Sequence, residues 1–238
     1  MARVSAVLVM LLFLSGCASL QGDLADILSS GPGGEGALDE GTVIAGIKEA
    51  LEIGTERTIL ATSRLDGYLG NRLIRITIPQ QLESVASTLR QVGLGSRVDE
   101  LEIGMNRAAE LAAAEARDVF WDAIAGMTVS DAFGILEGGD TAATEYFRER
   151  TRDRLYGRFH PIVQGKMDEV GLSRIYSSVA DTYNDLPIGG TSPLVDLDEY
   201  VTERALSGLF TVLAEEERKI RRDPLARTTD LLRRVFGK

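Results

Sequence analysis

The chain has 238 residues, 44% of them apolar, and a formal net charge of −10 at neutral pH. Its acidity argues against nucleic acid as a partner, because such binding needs basic groups to neutralise phosphates, and against lying flat on anionic lipid. The apolar share excludes a largely disordered chain and can fill one good core.

The first residues read as an export signal. Arg3 supplies a positive charge and Val4–Leu14 forms an apolar run interrupted only by Ser5 and Ala6. That run fits a signal-peptide core, whereas a membrane-spanning helix needs roughly 20 residues. Leu14-Ser15-Gly16-Cys17 follows, and Cys17 is the only cysteine. The segment resembles the bacterial lipobox: leucine, two small residues, then a thiol that is acylated and becomes the new N-terminus. Residues 1–16 are then a removable lipoprotein signal, and its loss takes Arg3 and moves the formal charge from −10 to −11. Acyl chains on Cys17 make the membrane a partner, each buried CH₂ contributing about 0.8 kcal/mol. Ala18 stands where the lipoproteins it resembles carry an inner-membrane retention aspartate, so the resemblance implies the periplasmic face of the outer membrane.

Residues 17–38 form the expected tether, with a short helix at Asp23–Ser30 and a glycine-rich run at Gly31–Gly36. Residues 39–238 are expected to be a single all-α domain of about eight helices, a multi-helix bundle. The first should run from Asp39 to Thr62, with Val43, Ile47, Leu51 and Thr58 facing inward. Asp66-Gly67 and Gly70-Asn71 mark a loop. Leu73–Ile78 alternates apolar and polar residues but lacks a strand partner and is assigned as extended loop. Pro79 opens a helix to about Val92, which Gly93 and Gly95 end.

A helix over Arg97–Ala125 carries Val98, Leu101, Met105, Ala108, Ala112 and Val119 at three- and four-residue steps. Its alanines imply close helix packing, with Phe120 and Trp121 filling the core at its end. Ser130 and Asp131 are expected to cap a helix to Glu137. Gly138–Thr141 breaks the chain and starts a helix bearing Ala142, Tyr146 and Phe147. Helices are expected over 153–170 and 172–183, then a turn at 184–190 and a long helix over Asp198–Arg222. Asp223 and Pro224 open the last helix, whose Leu231, Leu232, Val235 and Phe236 share one side. Leu51-Glu52-Ile53-Gly54 recurs as Leu101-Glu102-Ile103-Gly104, but the flanks do not match.

Several segments carry a family resemblance: Met105–Glu110, Asp122-Ala123-Ile124 with Met127-Thr128, Ile135–Phe147, Tyr200-Val201-Thr202, Gly208-Leu209-Phe210, Glu215–Glu217 and Arg227–Leu232. On these the chain resembles, over about Gly46 to Gly237, the bacterial family called domain of unknown function 4197. The resemblance implies a helical envelope protein and brings no activity.

Catalytic groups are few. His160 is the only histidine, so tetrahedral zinc lacks ligands and a Ser-His-Asp triad has one possible base. A surface or half-buried packing residue is the expected role. Glu115, Asp118 and Asp122 share a helix face that reads as solvated charge rather than a cation site. No metal, cofactor or catalytic residue is assigned. Glu215–Lys219 and Glu217–Arg221 are i,i+4 pairs in the favourable order. Glu216 falls on the stripe of Val201, Ala205, Leu209, Val212, Leu213 and Ile220. A buried carboxylate needs a partner, and Arg227 is the expected one. The pair either locks the last helix or forms an acid beside an anion-binding arginine; otherwise Glu216 is simply exposed. Asp140 or Thr141, with Thr144 one turn in, caps a helix start that could hold an anion, and Thr228 and Thr229 could cap the final turn. These residues are the candidate ligand site of a non-catalytic module for a small or lipidic ligand or an envelope partner. The alternatives are an enzyme using Glu216, Asp140 or both as acid and base, and a structural envelope lipoprotein.

Overall fold

The computed structural model describes residues 39–169, 171–185, 187 and 195–237. The expected signal, Cys17, the Asp23–Ser30 helix, the glycine-rich tether and most of the 184–190 turn lie outside them. Residues 39–238 form a compact unit of their own. Its elements are α1 (Glu40–Ser63), a 3₁₀ turn (Gln80–Leu82), α2 (Glu83–Gln91), α3 (Gly95–Ala113), α4 (Ala116–Ala125), α5 (Val129–Glu137), α6 (Ala142–Glu169), α7 (Leu172–Asp185), α8 (Leu197–Arg222), a second 3₁₀ turn (Pro224–Ala226) and α9 (Asp230–Phe236). No strand occurs among the described residues, and the body is one all-α domain.

α8 is the axis of the bundle, packed by α1, α3 and α6. It is apolar around most of its circumference: Val201, Ala205, Leu209, Phe210 and Leu213 are all within 3% of complete burial. The alanines of α3 do what their size suggests. Ala108, Ala109, Ala112 and Ala113 are fully buried and let neighbouring backbones approach. Phe120 packs edge-on against Phe147 (centroids 4.9 Å apart) and Phe210 (6.3 Å). The buried threonines of α1 satisfy themselves within the helix: Thr55, Thr58 and Thr62 each donate to the carbonyl four residues back, at 2.6–2.8 Å.

Several boundaries differ from those the sequence suggests. The expected helix over Arg97–Ala125 is two helices, because Ala114 and Glu115 switch to carbonyls three residues back. No glycine or proline marks that break. α5 is capped by Thr128, not Ser130. The Thr128 hydroxyl accepts from Asp131 N–H, while the Asp131 carboxylate accepts from Thr128 N–H, a reciprocal box. The helices expected to begin at Gly138–Thr141 and Asp153 are one continuous α6 of 28 residues with Pro161 inside it. Asp223 caps only the 3₁₀ turn, and Thr229 caps α9. Trp121 is half-buried under the Arg117 guanidinium (5.4 Å) rather than in the core. The final helix docks on the body: Leu232 and Val235 are buried, and a Cβ on Gly46 would stand 2.4 Å from Val235 Cγ2.

No single described helix is long and apolar enough to cross a membrane. One pair bent by 106°, 95–125 with 129–137, passes by length and composition, but its Leu101, Met105 and Phe120 are buried in the core.

Candidate functional site

The centre of the candidate region is Glu217, not Glu216. Glu217 lies on the flank of α8 that faces the start of α6. One carboxylate oxygen accepts from Ala143 N–H at 2.9 Å, and the other from Thr144 N–H at 2.9 Å and the Thr144 hydroxyl at 2.8 Å. Arg221, one turn on, donates its Nε to the same carboxylate at 2.9 Å and its Nη2 to the Ile135 carbonyl at 2.7 Å. Side chains of both partners are nearly enclosed, at 8% and 11% exposure. The joint ties together the end of α5, the start of α6 and the last turns of α8.

This geometry corrects the expected anion site. A helix start offers free N–H groups, and neither Asp140 nor Thr141 caps those of Ala143 and Thr144. The protein's own Glu217 already occupies them. Asp140 instead pairs with Arg222, and Thr141 contributes its carbonyl to Glu145 N–H (2.9 Å). A Cβ on Gly138 would stand 2.5 Å from Ala142 Cβ, so the break needs glycine there.

The expected Glu216–Arg227 pair is not formed. Glu216 holds Lys219 (2.6 Å) and faces Arg57 of α1 (3.8 Å), which also displaces the expected Glu215–Lys219 pair. Arg227 donates to two main-chain carbonyls at the end of α8, Ile220 at 3.0 Å and Arg221 at 2.7 Å. It therefore caps a helix C-terminus, where a cation is favoured. Thr229 caps α9 and reaches Glu49 at 3.2 Å, whereas Thr228 is exposed and offers its carbonyl to Arg233.

Beside the Glu217 joint is an apolar cavity of about 30 Å³, walled by Ile47, Leu51, Ile135, Leu213, Ile220 and Phe236. It has room for about one or two waters. Thr144, Glu217 and Arg221 also line it; Glu216, Asp140 and Arg227 do not.

A second joint, absent from the sequence-based candidates, uses the same device. Glu110 of α3 accepts from Tyr68 N–H (3.1 Å) and Leu69 N–H (3.2 Å), and pairs with Arg107 at 2.6 Å. Arg107 also holds Asp66 at 2.7 Å, and both bonds, Glu110's first, raise its affinity for its proton. Asn106 pairs with Ile76 as a strand neighbour would: its side-chain oxygen accepts from Ile76 N–H (2.9 Å) and its amide donates to the Ile76 carbonyl (2.7 Å). The Tyr68 ring fits against Gly208, where a Cβ would stand 2.6 Å from it. The Tyr68 hydroxyl donates to the Ala205 carbonyl at 2.6 Å. Burial first, then the Glu110 charge, push the phenol above its ordinary range.

His160 is half-buried and stacks on Tyr156 at 5.5 Å. Its Nδ1 lies 3.4 Å from the Thr202 hydroxyl, but that hydroxyl donates to the Asp198 carbonyl and is fully buried. It is not a nucleophile open to substrate. Burial, then the charges of Asp196 and Asp168, hold the Asp198 carboxyl above its ordinary value. Asp122 pairs with Arg154 at 2.6 Å. Among the described residues, no group of three or more His, Cys, Asp or Glu could hold a metal ion.

Fold and joints define an all-helical domain in which two buried carboxylates, Glu110 and Glu217, are bound to its own main chain. The chain belongs to the family described as protein of unknown function DUF4197, whose model matches residues 37–237. No curated protein and no solved structure matches the chain significantly.

Proposed function

We propose that the chain is an exported lipoprotein, held by acyl chains on Cys17 to the periplasmic face of the outer membrane. Its helical body is a non-catalytic module for a small or lipidic ligand or an envelope partner. The address rests on Leu14–Cys17. The non-catalytic reading rests on one observation: the oxygens of Glu217, the one carboxylate lining the apolar cavity, already accept two N–H groups, a hydroxyl and a guanidinium N–H. An acid–base catalyst needs a carboxyl within reach of substrate and able to exchange its proton. The paired Glu216–Asp140 enzyme loses support, since each has separate partners and neither lines the cavity.

Cells labelled with radioactive palmitate test the anchor. Wild-type protein should take up label and Cys17→Ser should not. An unlabelled wild type, or one that stays in the cytosol, overturns the address. Native mass spectrometry of unacylated protein tests the module, and a body that carries no ligand and captures no partner counts against it.

A further inference from the structure

The loop after α1 combines exposed leucines with unpaired arginines. Leu65 is 72% exposed and Leu73 is 65% exposed. Each follows an exposed arginine, in Arg64-Leu65 and Arg72-Leu73. Arg204 of α8 reaches the same place, lining with Leu73, Ser207 and Thr211 a polar cleft of about 80 Å³. The guanidinium groups of Arg64, Arg72 and Arg204 have no hydrogen-bond or ion-pair partner among the described residues. The neighbouring carboxylates are already engaged: Asp66 and Glu110 on Arg107, and Glu102 on Arg75 at 2.6 Å. An acidic chain thus carries a local surplus of positive charge at one loop.

Scattered exposed leucines need no explanation. These two differ because the underside of their loop is fixed by Glu110, Asn106 and the buried Tyr68, so they are displayed rather than loosely placed. Exposed leucines that each follow a free arginine in the chain, one of them sharing a cleft with Arg204, suit a surface that is anionic outside and apolar just beneath.

We propose that this loop docks on an anionic lipid surface. Leu65 and Leu73 enter the boundary between headgroups and acyl chains, and Arg64, Arg72 and Arg204 contact lipid phosphates. The formal charge of −11 that remains without residues 1–16 opposes whole-body adsorption, but charges beyond about 10 Å are screened at moderate salt, so the local surplus governs. The 21 residues at 18–38 can span up to about 70 Å extended, against about 36 Å for the 24-residue α1. A chain anchored at Cys17 can therefore bring the loop to the same membrane. The proposal takes only its location from the lipoprotein reading.

The test uses the chain from residue 17 onward with Cys17→Ser, so that no acyl chain contributes. It is sedimented with vesicles of pure phosphatidylcholine and with vesicles also containing phosphatidylglycerol. Binding should require phosphatidylglycerol and fall as salt rises. It should weaken by on the order of tenfold or more in Leu65→Ser/Leu73→Ser, and likewise in Arg64→Gln/Arg72→Gln/Arg204→Gln. Circular dichroism and melting confirm that each variant is folded; the milder Arg72→Gln/Arg204→Gln pair replaces any that is not. Equal binding to both vesicles, equal binding by the variants, or a loop that ignores lipid and captures a protein instead overturns the proposal. Palmitate labelling of wild-type Cys17 is read separately, so failure of the anchor and failure of the loop are distinguishable.

Discussion

Glu110 and Glu217 make the same joint for different purposes. Each is a buried glutamate on a helix, backed by an arginine one turn away, and each accepts two consecutive main-chain N–H groups. Glu110 holds an irregular loop, whose N–H groups have no helix to satisfy them. Glu217 holds the first turn of α6, whose N–H groups are free for geometric reasons. The carboxylate does by side chain what a strand partner or a local cap would otherwise do. The joints also differ in enclosure, since Arg107 is 26% exposed and Arg221 11%. Losing the carboxylate should therefore strand a drier cation at the Glu217 joint.

Glu217→Ala should have the largest effect, about 3–5 kcal/mol of lost stability in a denaturant titration, because three donors and a nearly buried guanidinium lose their partner. Glu110→Ala should cost less, about 2–3 kcal/mol, since water can reach Arg107. If the order is reversed, enclosure is not what separates the joints. Tyr68→Phe should cost about 1 kcal/mol by removing the bond to the Ala205 carbonyl.

Asp131 provides a local-cap control. The Thr128 N–H and hydroxyl hold its carboxyl below the ordinary value of 3.8. A folded value below the unfolded one gives stability that is present above about pH 4 and lost as pH falls through the folded value. Asp131→Asn should flatten that acid limb in melts taken below about pH 4. Glu216→Gln should be the mildest change, about 0.5 kcal/mol or less, because glutamine keeps the size and an acceptor oxygen of the enclosed side chain while its cations, the exposed Lys219 and the half-exposed Arg57, still reach water.

The helical class, the α1 stripe and the docking of Leu232 and Val235 were legible in the sequence because periodicity reports burial directly. The choice of Glu216 over Glu217 was not. Projected on a single stripe, Glu216 lies at its centre, beside Val212 and Ile220. α8 has no single stripe: Phe210 and Ala214 are buried on its flank, and Glu217 belongs to that flank. Those two residues were the available signal that α6 covers a second face. The break at Ala114 and Glu115 left none, since alanine and glutamate both favour continuing a helix. Asn106, Arg107 and Glu110 were visible as a motif, but their task is to bond a loop some 30–40 residues away, which no local pattern encodes.

Amide hydrogen exchange across the two joints tests most directly whether both carboxylates serve the main chain. In wild-type protein the amides of Ala143, Thr144, Tyr68 and Leu69 should all be protected. Glu217→Gln, which leaves one acceptor oxygen where two are used, should release only the first pair, and Glu110→Ala, which removes the one oxygen that accepts from both Tyr68 and Leu69, only the second. Exchange at Ala143 and Thr144 that is already as fast as at a frayed helix end, or unchanged in Glu217→Gln, would contradict that role and return Glu217 to the candidates for chemistry.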